Sequence, residues 1–121
     1  MKCHLHRIFA CNGIHKSPFY AHTPVTVRII RIVLRSCIDR GYALELNAAG
    51  LGGWQKRVGP PQNVLYEYRR MGGERISIGS DAHTLAAVGR GFDDSVRNAQ
   101  DAGFTHVTVF RERKPHFVPL G

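Results

Sequence analysis

An α/β fold is predicted for this 121-residue chain, and three observations predict it. Helical and extended hydrophobic patterns alternate from Thr26 to Phe110 in the order helix, strand, helix, strand, helix, strand. Glycine-containing turns separate the patterns, and such alternation lays parallel strands side by side under covering helices, in an open sheet or a closed barrel. A hydrophobic content of 43% with 21% charged residues suits a folded chain rather than a disordered one. The length sets a single domain as the expectation.

The elements follow in order. The first 24 residues show little periodicity, yet they hold four of the seven histidines, His4, His6, His15 and His22. From Thr26 the pattern sharpens. Ile30, Val33, Leu34, Cys37 and Ile38 recur at i, i+3, i+4, i+7 and i+8, with Arg28, Arg31 and Arg35 opposite, which predicts an amphipathic helix with a solvated arginine face. Gly41 is its expected stop. Residues 42–47 read as a strand, and 48–62, with its glycines and Pro60-Pro61, as a loop. A second helix is expected after Asn63 as N-cap, with Val64, Leu65, Tyr68 and Met71 on one face and Gly72-Gly73 at its end. Residues 75–79 form the next strand. A third helix over about 93–102 turns Phe92, Val96 and Ala99 inward and stops at Gly103. A strand over 104–110 precedes a basic tail, RERKPHFVPLG.

Several function classes fall away. No apolar run approaches the roughly 18–20 residues of a membrane span, since arginines interrupt the most apolar stretch. The opening MKCHLHRIF lacks the apolar core and cleavage site of a secretory signal. Cys3, Cys11 and Cys37 form no CxxC, so neither a disulfide framework nor a cysteine zinc cage is indicated, and reduced thiols in the cytoplasm are expected. With Lys+Arg 17 against Asp+Glu 9, the net charge is +8 and the pI about 10.0, a balance that attracts anions of any kind.

Parallel strands gather their carboxyl ends on one edge, where such folds place their chemistry. Asn47, Asp81 and His83 lie at or just past strand ends and should converge there. Asp81 and His83, two residues apart, offer a carboxylate and an imidazole, good ligands for zinc, manganese or iron. The competing reading has Asp81 capping the following helix and His83 on a surface loop. His4 and His6 would share one face of a strand and could also ligate metal, against the alternative of a frayed terminus. Cys3, Cys11, His15 and His22 fit no standard zinc spacing. Glu45 and Asn47 share a strand face, where a buried carboxylate needs a partner. Arg57 and Lys56 lie in the loop above that edge, and arginine can grip phosphate with two parallel hydrogen bonds. His106 and His116 carry no partner signal and read as structural.

These residues resemble a known family. Tyr42-Ala-Leu-Glu-Leu-Asn-Ala-Ala-Gly-Leu51, Met71-Gly-Gly-Glu74 and Ile76-Ser-Ile-Gly-Ser-Asp-Ala-His83 are similar to the C-terminal half of the PHP (polymerase and histidinol phosphatase) family, in its histidinol-phosphatase branch. Val88-Gly-Arg-Gly-Phe92, Ala102-Gly-Phe104, Arg113-Lys-Pro115 and a closing Val-Pro-Leu extend the likeness across residues 29–120. The resemblance implies the last strands and helices of a distorted, TIM-like barrel, hence a partial (β/α) barrel. It implies divalent metals at the strand carboxyl ends, with Asp81 and His83 as ligands, and hydrolysis of L-histidinol phosphate to histidinol and phosphate in histidine biosynthesis. Cys3-His-Leu-His6 looks like the family's Gly-His-Leu-Asp strand, which nominates His4 as a further ligand.

Two departures shape the expectation. The family's opening His-x-His strand has no counterpart, so the chain reads as the C-terminal part of a roughly 250-residue barrel, weak or inactive alone. Gly52 stands where the family commonly has Arg, which leaves Arg57 to compensate. A half-barrel would expose unpaired sheet edges and could self-associate through them. The expected partner is a small phosphorylated metabolite, with no membrane. Within the same resemblance stands the phosphodiesterase module of a DNA polymerase. A small basic nucleic-acid-binding protein is the alternative from another class, against which no exposed aromatics interleave with the basic residues.

Overall fold

A computed structural model of the chain describes residues 2–3, 24–53 and 56–121. Strand β1 (Lys2–Cys3), helix α1 (Pro24–Asp39), strand β2 (Ala43–Asn47), short helix α2 (Ala49–Gly52) and helix α3 (Gln62–Arg70) come first. Strand β3 (Ile76–Gly79), helix α4 (Phe92–Asp101) and strands β4 (His106–Arg111) and β5 (Lys114–Pro119) follow. Strands β1, β2 and β3 form a parallel sheet in that spatial order. Strands β4 and β5 form an antiparallel pair, with β4 beside β3. Among the described residues no helix is long and apolar enough to cross a membrane.

Helix α1 forms on the predicted face. Leu34 and Cys37 are buried, Ile30, Val33 and Ile38 pack against the core, and Arg28, Arg31 and Arg35 stay in solvent. Its start at Pro24 uses a residue whose missing N–H costs nothing in the first turn. Leu44 and Leu46 of β2 and Ile76 of β3 meet Leu34, Val64, Leu65, Tyr68, Ala99 and Phe104 in one core. Tyr68 and Phe104 stack with centroids 6.2 Å apart, and the Tyr68 hydroxyl donates to the Arg75 carbonyl at 2.9 Å. The hydroxyl therefore reaches a partner while its ring is buried, which is what a core tyrosine requires.

Four expectations change. The loop over 48–62 contains helix α2, and Gly59 folds back onto the end of β2 through Asn47 N–H to Gly59 O at 2.7 Å and Gly59 N–H to Asn47 O at 2.9 Å. Asn63 is not the cap of α3. Pro61 stands at that position, its ring setting φ at −53°, and Asn63 Oδ1 accepts from the Val64 N–H at 3.0 Å from within the first turn. Phe92 is not inward. It remains 53% exposed, and Ser95 fills the core position instead, its Oγ donating to the Gly91 carbonyl at 2.8 Å.

The tail is the largest change. Lys114–Pro119 pairs along the whole of β4, with Thr108 opposite Phe117 and Arg111 opposite Lys114. Glu112 at φ 48° and Arg113 at φ 66° make the two-residue turn, both left-handed as a type I′ hairpin demands. Such turns favour asparagine and glycine, so Glu-Arg gave no turn signal. The prolines at 115 and 119 also masked the strand, although an edge strand tolerates them.

Candidate active site at the strand ends

The parallel register sets Glu45 opposite Ser77 and Asn47 opposite Gly79, so β2 and β3 end together. The Ala48 N–H donates to the Gly79 carbonyl at 2.9 Å and holds the two ends side by side. Asn47 is buried with both ends of its amide engaged. Nδ2 donates to Glu45 Oε1 at 3.2 Å, and Oδ1 accepts from the Ala49 N–H at 2.9 Å. Glu45, 8% exposed, lies across Gly79, where a Cβ would stand 2.5 Å from Oε1. Where the carboxylate lies, it takes the space that a Cβ at residue 79 would occupy. Spacing showed that Glu45 and Asn47 share a face, but not that Gly79 would sit beneath Glu45, because register is a property of the paired strands.

Beyond Gly79 the chain turns sharply. Asp81 adopts φ 50°, a left-handed conformation that aspartate tolerates better than most residues. Residues 81–84 are exposed. His83 Nδ1 lies 2.8 Å from the Asp81 carbonyl oxygen. A carbonyl only accepts, so Nδ1 carries the proton and Nε2 presents its lone pair. Metal-binding histidines are commonly oriented in this way, by donating the other ring N–H to a backbone carbonyl. The carboxylate of Asp81 makes no hydrogen bond or ion pair with the described residues. It caps no helix either, since the turn at Leu85–Ala87 begins after Thr84.

One oriented imidazole and one carboxylate without a partner among the described residues thus stand on a single short turn, both donor types that divalent cations take. Among the described residues no group of three His, Cys, Asp or Glu side chains is gathered for a metal. The expected ligand His4 lies outside the described residues, as do His6, Cys11, His15 and His22. Arg57 and Lys56 are exposed in the loop returning to Asn47 through Gly59, and neither pairs with a described residue. His106 belongs elsewhere, at the start of β4. It hydrogen-bonds to Thr105 Oγ1 at 2.8 Å and lines an open groove of about 420 Å³ with Arg69, Glu74, Phe104 and Phe117.

Comparison with known proteins supplies a direction. The chain is similar to "Probable histidinol-phosphatase" of Thermotoga maritima. The two are 32% identical over 81 residues, which is 67% of this chain and 34% of that protein. The aligned part thus spans about a third of the length of the relative. No protein-family model matches the chain. This similarity supports a histidinol-phosphatase-like relationship.

Proposed function

We propose that the chain is the C-terminal part of a metal-dependent phosphatase of the PHP type, folded as the last strands and helices of a distorted barrel and acting on L-histidinol phosphate. The observation that carries the reading is the hydrogen bond from His83 Nδ1 to the Asp81 carbonyl, which leaves Nε2 as the ring nitrogen open to a ligand, two residues from a carboxylate with no partner among the described residues. The name of the Thermotoga maritima protein supports the choice of substrate. Asp81 and His83 would hold a divalent cation, zinc, manganese or iron, with His4 as a further ligand. Bound there, such a cation would lower the pKa of water and neutralise charge on the phosphoryl oxygens.

The remaining work falls to the chain's own residues. Asn47 ties the end of β2 to the start of α2 through the two hydrogen bonds of its side-chain amide, at the edge that receives substrate. Arg57 orients the phosphoryl group by charge-assisted hydrogen bonds. With two ligands on the described residues, weak metal binding and low turnover are expected of the 121-residue chain.

Metal analysis of protein equilibrated with Mn²⁺ or Zn²⁺ tests the proposal. Asp81→Asn and His83→Ala should each lower occupancy several-fold. Asparagine keeps the left-handed turn accessible, so a loss in that variant reports the carboxylate rather than misfolding. Unchanged occupancy in both variants would overturn the site. Hydrolysis of histidinol phosphate at an ordinary enzyme rate, by the chain alone, would contradict the expectation of low turnover.

A further inference from the structure

Arg90 follows the 3₁₀ turn at Leu85–Ala87, in the connection between β3 and α4. Its guanidinium lies directly over Gly52 in the last turn of α2: a Cβ on Gly52 would stand 2.6 Å from Arg90 Nη1. Beside it, a Cβ on Gly91 would stand 2.6 Å from the Ala48 Cβ, and Ala48 is the residue whose N–H binds the Gly79 carbonyl. These close approaches seat Arg90 on the edge where β2 and β3 end.

The cation is uncommitted. Arg90 is exposed, and its guanidinium makes neither a hydrogen bond nor an ion pair with the described residues. The carboxylates nearest in the chain leave it so: Asp94 pairs with Arg97 at 2.7 Å, and Asp93 forms no bridge. Arg31 and Arg70, by contrast, both bind Glu67, at 2.6 and 2.7 Å. Lys56 and Arg57, in the loop that returns to Asn47, are also unpaired with described residues. Among the described residues, Lys56, Arg57 and Arg90 are thus cations without a side-chain partner on the loops after β2 and β3, and Asp81 is an exposed carboxylate of the turn after β3.

We infer that Arg90 is an anion-binding residue of this edge, gripping the phosphoryl group of a phosphate monoester, and that Gly52 carries no side chain so that the guanidinium can lie against the backbone. The identification of the anion as a phosphoryl group rests on the phosphatase reading; the recognition of an anion rests on the geometry. A guanidinium lying over the backbone of Gly52 presents two parallel N–H donors, which match two oxygens of a phosphate, while Lys56 and Arg57 add to the local positive field.

Titration of inorganic phosphate into the full chain in chelator-containing buffer, at fixed ionic strength, tests this without metal. Arg90→Ala should weaken binding at least about tenfold, the loss expected for charge-assisted hydrogen bonds. Arg90→Lys should recover part of it, and Gly52→Val should weaken binding by displacing the guanidinium while the charge remains. Arg28→Ala, on the solvent face of α1, should change nothing. Affinity within twofold of wild type in Arg90→Ala, an equal loss in Arg28→Ala, or no phosphate binding by the wild type would each overturn the inference. If the wild type takes up no metal and hydrolyses nothing, yet Arg90→Ala still loses phosphate, the phosphatase reading falls and this one stands. If metal-dependent hydrolysis is found while phosphate affinity ignores Arg90, this inference falls alone.

Discussion

At Asp81 and His83 one hydrogen bond decides what the imidazole can do. Donation from Nδ1 to a carbonyl leaves only Nε2 to act as ligand or base, and the left-handed turn at Asp81 brings that carbonyl within 2.8 Å. The Asp-x-His pair was legible in the sequence because two ligand types stood just past a predicted strand. The contribution of Gly79 was not, since its meaning depends on a carboxylate from the neighbouring strand. Gly79→Ala would push a methyl group against Glu45 Oε1, where 2.5 Å separates the ideal Cβ from the oxygen. Overpacking of this kind typically costs about 1–3 kcal/mol, so a clear drop in urea midpoint is expected. An unchanged midpoint would mean that Glu45 swings away freely.

Among the elements, α1 and α3 are joined by a charge cluster as well as by the core. Glu67 receives Arg70 Nε at 2.8 Å and Nη2 at 2.7 Å, and Arg31 Nε at 2.6 Å. The Arg70 hydrogen bonds are the main cause that lowers the Glu67 carboxyl to about 2, with Arg31 helping against a partial burial that raises it. The same contact raises Arg70. A depressed carboxyl stabilises the fold above its unfolded value of 4.5, and that contribution fades as pH falls through about 2. Glu67→Gln should therefore cost about 0.5–1 kcal/mol near neutrality, because solvent screens a pair of this exposure. The gap from wild type should shrink between pH 4.5 and about 2, read from urea unfolding at each pH. Helix α1 was legible because its apolar stripe and arginine stripe repeat over several turns. The hairpin of β4 and β5 was not, because a Glu-Arg turn and two prolines hide a pairing that main-chain hydrogen bonds nevertheless make.

Over the whole molecule, helices α1, α3 and α4 bury the Leu44, Leu46 and Ile76 side of the sheet, and the polar side chains Glu45, Asn47 and Ser77 occupy the other. Alternation of helix and strand revealed that layering from sequence, but it said nothing of which strand would pair antiparallel at the end. Leu44 is fully buried, so Leu44→Ala should cost about 2–5 kcal/mol. Against a total of about 5–15 kcal/mol for a domain, that loss should lower the melting temperature markedly. A small change would show that the core centres elsewhere. The layering also explains the position of the candidate site: apolar packing fixes β2 and β3 side by side, and the turn of Asp81 and His83 follows directly from the end of β3.

The most direct measurement is a long-range ¹H–¹⁵N correlation spectrum of the His83 ring during titration with Zn²⁺, assigned with His83→Ala. A proton on Nδ1 is expected before metal is added, with a large shift of Nε2 as metal enters that is several-fold weaker at the same Zn²⁺ concentration in Asp81→Asn. A proton on Nε2, or a His83 ring whose nitrogens do not move with added Zn²⁺, would contradict the proposed site.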